Sequence, residues 1–461
     1  MEPRNLKLIA DACGAEMKSG TAELLVLDVC TDSRQAKTGD VFFAIQGEKF
    51  DGHNFLNEVA AKNVAAVVVE RKKLPSALPA CAVLVVDDVR AALGKLAAVY
   101  RREFNLPVVA VGGSNGKTTT KELLASILRQ GFSTLWSEAS FNNDIGVPMT
   151  LLRLQKGHQA AVLEVGTNHP GELAPLVRLI SPKYGVITNI GREHLEFFGD
   201  LNGVAQEEGW LAELLPAEGV LFLNAENEWA DRIVPRTRAR VVRVGLGERN
   251  DWRATKVRLD KNGSSFQVVG PETGLNGEYR LNLLGRHQVA NALLAIAIGA
   301  ELGLKYAQIC CGLADCPPPK MRMQYWEANG VRVLDDAYNA NTDSMIAALE
   351  TLCDLPLQGR RVAVLGDMGE QGAHSASAHA EVGRHAARLG VGQLFAVGPM
   401  AAGTARAARA AGLKRVIEFA DVDSAVLAVK KFLKTGDVVL LKASRSARLE
   451  RIAESLKTEK N

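Results

Sequence analysis

The run Val108-Val109-Ala110-Val111-Gly112-Gly113-Ser114-Asn115-Gly116-Lys117-Thr118-Thr119-Thr120 passes from β-branched apolar residues through glycines to a lysine and three threonines. Its first part has the make-up of a buried strand, and the residues after it, Lys121 to Arg129, carry apolar side chains at helical spacing. Strand, glycine loop and helix in that order predict a phosphate-binding loop. Backbone N–H groups from Gly113, Ser114, Asn115 and Gly116 turn around phosphate oxygens, and the helix start at Thr118 and Thr119 adds a partial positive charge. Lys117 then reaches the outer phosphates, and the Thr118 hydroxyl is placed for a phosphate-bound Mg²⁺. The standard pattern has one more glycine where Val111 stands. Taken alone, the string also fits an ordinary helix-entry turn, so its surroundings decide.

Composition bounds what those surroundings are. A chain of 461 residues is longer than one average domain and predicts two to four. With 47% hydrophobic and 23% charged residues it is a globular protein able to bury large cores. A net charge of +3 excludes a basic nucleic-acid surface while tolerating anionic substrates. The seven cysteines are odd in number, scattered and lack a Cys-x-x-Cys pair, which predicts free thiols in a reducing compartment. No secretory leader and no apolar run of membrane-spanning length is present, so a cytoplasmic protein without membrane insertion is expected.

Residues 1–106 read as a small α/β domain, with apolar strands at 41–45 and 65–69. Within it Ser33-Arg34 fits two readings, a surface turn or a hydroxyl and guanidinium pair for an anionic group. Residues 107–317 alternate strand and helix. Strands at 159–166, 184–190 and 219–224 and helices at 171–180, 202–215 and 286–297 predict a parallel sheet covered by helices. Its C-terminal strand ends should gather the Gly113 loop, Glu164 and His194, and an acid and an imidazole beside a triphosphate suit Mg²⁺. After Cys316-Pro317-Pro318-Pro319, residues 318–461 alternate again, with strands at 331–336, 361–366, 393–397 and 437–442, giving a second doubly wound domain. The expected fold is therefore α/β in three domains: a small N-terminal one, a P-loop ATPase-like one and a Rossmann-like one.

Strings in all three domains together resemble the ATP-dependent Mur amino-acid ligases of peptidoglycan synthesis. They are Thr31-Asp32-Ser33-Arg34, the Gly113 loop, Asn142-Asn143-Asp144-Ile145-Gly146-Val147-Pro148, Glu164-Val165-Gly166, His194-Leu195-Glu196, Gly285-Arg286-His287, Asp335-Asp336-Ala337-Tyr338-Asn339-Ala340-Asn341, Gly366-Asp367-Met368 and Ser444-Arg445-Ser446-Ala447-Arg448. The Tyr-Asn-Ala-Asn run is similar to dipeptide-adding members, and the Asp-Asn-Pro-Arg string of diaminopimelate-adding relatives is missing.

The resemblance implies ATP and Mg²⁺ as cofactors and UDP-N-acetylmuramoyl-tripeptide and D-alanyl-D-alanine as substrates, joined through an acyl phosphate. It also implies roles. Lys117 would hold the outer phosphates, Thr118 and Glu164 one Mg²⁺, and His194 a second. Asn291 would contact adenine, with Arg322 and Asp336 reaching ATP from the last domain. Ser33 and Arg34 would bind the UDP portion, Asn143 and Asp144 the substrate, and Tyr338, Asn339 and Asn341 the dipeptide. Most of the family carries a carbamylated lysine where Glu208 stands, so Glu208 is expected to supply that charge as a catalytic metal ligand; Glu193 and Thr342 also depart from the family pattern. A monomer is expected. Two alternatives stay open: a related ligase adding a single amino acid, of the folylpolyglutamate synthase kind, and a P-loop module that binds nucleotide and a protein partner without ligation.

Overall fold

The computed structural model describes residues 1–356 and 358–457. Its contacts divide the chain into two compact units: Met1–Ala110 with Phe132–Thr167 and Ala174–Lys183, and Val111–Gly131 with Asn168–Leu173 and Tyr184–Asn461.

In the first unit, Ala66–Glu70 and Ala82–Val86 are apolar on both faces and form the middle of a five-stranded sheet. Val41–Phe43 and Val29–Cys30 extend it in parallel on one side, and Glu16–Ser19 closes the other side antiparallel. Phe42, Val67, Val83 and Val85 pack with Val59 of the helix Leu56–Ala61. The helix Val89–Arg101 starts where the Asp88 carboxylate accepts from the Ala91 N–H, 3.0 Å away. A further parallel pair, Thr134–Trp136 and Ala160–Glu164, belongs to this unit and ends in the buried Glu164.

The second unit holds two sheets. In one, Tyr184–Ile187, Val220–Asn224, Arg240–Gly245 and Trp252–Asp260 run parallel in chain order. The expected alternation with helices then breaks, because Trp252–Asp260, Gly263–Val269 and Gly277–Leu281 form an antiparallel meander. Its cause is local: Asp260-Lys261-Asn262-Gly263 turns the chain sharply, and Gly263–Val269 exposes and buries alternate residues. The helix Arg286–Glu301 is buried on nearly all sides over its middle, as a helix enclosed by protein must be.

The other sheet runs in the order Gln324–Ala328, Val331–Asp336, Val438–Lys442, Arg361–Leu365, Gln393–Val397 and Val416–Phe419. Only the first strand is antiparallel, joined through Asn329-Gly330, both at positive φ as a tight hairpin turn requires. Alternation along the parallel strands fills two cores. Leu334, Ala363 and Leu440 face one, under the helices Thr342–Asp354 and Ser375–Arg388; Val333, Val362 and Val439 face the other, under Val422–Phe432 and Glu450–Lys457.

All seven cysteines are free thiols. Among the described residues no helix is long and apolar enough to cross a membrane. Replacing Asp88 by Ala removes a cap worth about 1 kcal/mol; the urea midpoint should fall with the m-value unchanged, and an unmoved midpoint would show that the cap contributes nothing.

Candidate nucleotide and ligation site

The strand Val108–Gly112 is buried throughout and delivers the chain to a left-handed turn at Gly113. A Cβ at Gly113 would come within 2.8 Å of the Thr188 backbone nitrogen, and one at Gly116 within 2.9 Å of the Asn291 amide nitrogen, so both positions need glycine for space as well as for φ. Three loop N–H groups are held by the protein. Gly113 donates to Glu208 Oε2 at 2.6 Å, Ser114 to the Asn189 carbonyl at 2.9 Å, and Asn115 to Asn189 Oδ1 at 2.8 Å. The helix Lys117–Leu128 follows at once, its first-turn N–H groups directed at the loop, with Thr118 and Thr119 buried.

Lys117 folds back over this loop. Its Nζ donates to the Gly113 carbonyl at 2.5 Å and pairs with Glu193 Oε2 at 3.2 Å. Glu208 and Glu193 are both buried, and in each one carboxylate oxygen, Oε1, has no hydrogen-bond partner. Burial drives the Glu208 carboxyl well above the usual carboxylate range, against the pull of Lys117, and the Glu193 charge adds to the rise. His194 sits in a left-handed conformation at the start of Leu195–Phe198. Its Nδ1 meets Glu370 Oε2 at 2.5 Å and its Nε2 lies 3.9 Å from Glu193. The imidazole in turn holds Glu370 below its ordinary value.

Asn291 lies against Gly116 and donates to Gln288 at 2.9 Å. The Arg322 guanidinium stacks over the Tyr338 ring at 4.1 Å. Asp336 accepts from the Met323 N–H and pairs with the buried Lys442 at 2.5 Å, and Lys442 also donates to the Asn339 carbonyl. Asn341 caps the helix Thr342–Asp354 and donates to Asn115 Oδ1 at 2.9 Å. The second unit thus brings the loop, Glu193, His194, Glu208, Asn291 and Asn341 together.

The remaining predicted residues lie in the first unit. Glu164 accepts from Asn142 Nδ2 at 2.8 Å, while its Oε2 is buried without a hydrogen-bond partner. Asn143 accepts from the Gly146 N–H at 2.9 Å, and Asp144 pairs with Arg90 at 2.9 Å. The Ser33 carbonyl accepts from Lys62, and the exposed Arg34 pairs with Asp32 at 2.7 Å.

Within the second unit, the orphaned carboxylate oxygens of Glu193 and Glu208 fit an oxygen-seeking divalent cation. Among the described residues no three His, Cys, Asp or Glu side chains are gathered to hold a metal unaided. Glu193 and the ion-pairing residues Arg192, Asp343 and Glu370 were not picked out as site residues from sequence. Glu193 carried one signal, its departure from the pattern around His194-Leu195-Glu196.

Together these features define a P-loop phosphate-binding protein. Family models match three stretches: the Mur ligase family catalytic domain over 28–101, the Mur ligase middle domain over 111–299, and the Mur ligase glutamate ligase domain over 321–445. The chain belongs to the Mur ligase family. It is 37% identical over 459 residues, 98% of each chain, to UDP-N-acetylmuramoyl-tripeptide–D-alanyl-D-alanine ligase of Escherichia coli. It matches the crystal structure of MurF from Acinetobacter baumannii with a TM-score of 0.91 and 32% identity over all of both chains. The ADP complex of MurF ligase from Thermotoga maritima matches at 0.83 and 27%, covering 93% of this chain and 97% of that one.

His287, at the start of the helix Arg286–Glu301, supplies a pH test. Burial holds its imidazole down to about 4, with Asp336 pulling it up and Lys442 pushing it further down. The fold therefore keeps His287 neutral, and its contribution to stability is full above the ordinary histidine value of about 6.5 and is lost as pH falls towards 4. A His287→Gln variant should show a flatter decline of the denaturation midpoint across that window; an identical slope would remove His287 from the account.

Proposed function

We propose that the protein joins D-alanyl-D-alanine to UDP-N-acetylmuramoyl-tripeptide at the expense of ATP, making the UDP-linked pentapeptide of peptidoglycan synthesis as a cytoplasmic monomer. The observation that carries this reading is the Asn341–Asn115 hydrogen bond, which sets the Asp335–Asn341 motif against the phosphate loop within one compact unit. A protein that only bound nucleotide would have no use for that juxtaposition. Full-length similarity to a ligase of this name in Escherichia coli and to an ADP-bound relative supports the same reading.

Chemically, the terminal carboxylate of the tripeptide attacks the γ-phosphorus of ATP, and the bond to the β-bridging oxygen breaks to leave ADP. The dipeptide amine then attacks the acyl carbon of the resulting acyl phosphate, an amide bond forms, and phosphate and the amine proton leave. Anion meets anion in the first step, so charge neutralisation and positioning supply most of the acceleration. Lys117 moves from the Gly113 carbonyl onto the outer phosphates. Mg²⁺ supplies further neutralisation of phosphate charge when bound, with Thr118, Glu164, His194 and Glu208 as the residues to hold it; the second oxygen of Glu208 stands in for the carbamate of relatives. Asn291, Arg322 and Asp336 hold the nucleotide, while Ser33, Arg34, Asn143 and Asp144 hold the UDP substrate. Tyr338 and Asn339 shape the dipeptide site. Residues 1–106, 107–317 and 318–461 divide these tasks as UDP-substrate, ATP and dipeptide domains.

Phosphate release from ATP should need both the UDP-tripeptide and D-alanyl-D-alanine and give a pentapeptide nucleotide by mass. Lys117→Ala should lower kcat by about 10²-fold or more. Release supported equally by a single amino acid would move the assignment to another branch of the family. ATP binding without turnover on any acceptor would sink the ligase reading.

A further inference from the structure

We propose that Arg192 and Asp343 form a latch between the loop after the strand Tyr184–Ile187, which Gly191 ties to Ser114 of the phosphate loop, and the helix Thr342–Asp354, and that this latch positions the Tyr338–Asn341 turn for attack on the acyl phosphate. It rests on the ligase reading above, and assigns Arg192 and Asp343 as positioning residues.

Each nitrogen of Arg192 donates a hydrogen bond. Its backbone N–H donates to Asp343 Oδ2 at 2.7 Å, Nε to Oδ1 at 2.8 Å, and one terminal nitrogen to Oδ1 at 2.5 Å. The other terminal nitrogen reaches Glu381 Oε2 at 2.7 Å in the helix Ser375–Arg388. A lysine has no planar fork with which to make this set. The approach is close: a Cβ at Gly191 would stand 2.9 Å from Asp343 Oδ2. Asp343 lies in the first turn of its helix, where a negative charge is favoured.

Beside it, Asn341 divides its amide between two partners. Oδ1 accepts from the Ser344 N–H and Nδ2 donates to Asn115 in the loop, each at 2.9 Å. Asn341 before the helix and Asp343 within its first turn therefore grip two adjoining loops, Asn341 at Asn115 and Asp343 at Arg192. Tyr338 and Asn339, upstream of Ala340 and Asn341, belong to the proposed dipeptide site. A displacement of about 1 Å between reacting groups costs roughly 10²-fold in rate, so a contact that fixes this turn against the loop acts on catalysis without touching substrate.

The test uses Arg192→Gln, Asp343→Asn and the double variant in the full-length protein, with thermal melts confirming the fold. Hydrogen exchange at the start of Thr342–Asp354 should quicken in both single variants and no further in the double. On the ligation assay, kcat should fall about 10-fold or more in each single variant, with the double no worse than the poorer single and ADP affinity within about twofold of the parent. Losses that multiply, unchanged exchange, or ADP affinity falling in step with kcat would overturn the latch. Exchange and ADP affinity are read without an acceptor. A wild-type protein that failed to ligate the dipeptide would sink the substrate assignment alone, and the latch would stand or fall on exchange.

Discussion

The hydrogen bond from the Gly113 N–H to the buried Glu208 carboxylate is the contact on which the site's shape depends. Gly113 is the last point at which the chain could follow the strand, and its left-handed turn brings the backbone into van der Waals range of Thr188 and Asn189. A loop N–H facing inward there needs a buried acceptor. Glu208 provides it from the helix Leu201–Glu213, so the sheet, the loop and that helix are locked through one carboxylate. Its neighbour Glu207 makes the same kind of bond to the Gly171 and Leu173 N–H groups, so the two acids fasten that helix to two separate turns.

Energetics separate the structural part of Glu208 from the rest. A hydrogen bond contributes about 0.5–1.5 kcal/mol net, up to about 3 kcal/mol to a charged group, and leaving a buried polar atom unpaired costs about 1–3 kcal/mol. Glu208 does both at once, through Oε2 and Oε1, as do Glu193 and Glu164. The gain and the cost are of one size, so fold stability alone does not account for carboxylates at these positions.

Legibility followed the range of the interaction. The loop, its strand and its helix were readable because glycine, lysine and threonine are tied to one backbone path, and the strands of the last sheet because alternate residues feed two cores. The meander over Trp252–Leu281 was missed although Asn262-Gly263 and the period-two pattern stood in the sequence; the strand and helix alternation before it was extended too far. Arg192 and Asp343 offered no comparable signal. They are far apart in the chain, polar, and unremarkable in their local strings, and only the fold makes them partners.

That asymmetry bears on how the reaction is organised. Groups that meet phosphate are concentrated in one short stretch, because a nucleotide is recognised by backbone N–H groups that only a continuous turn can aim. Groups that would set a second reactant against the first come from elsewhere in the chain, as Asn341 and Asp343 do in meeting Asn115 and Arg192. The joint between them then falls to ordinary polar side chains at a helix start. Asn341 and Asp343 serve there because a helix N-terminus already favours an acceptor and a negative charge, so the same chemistry that starts the helix also binds it to the loop.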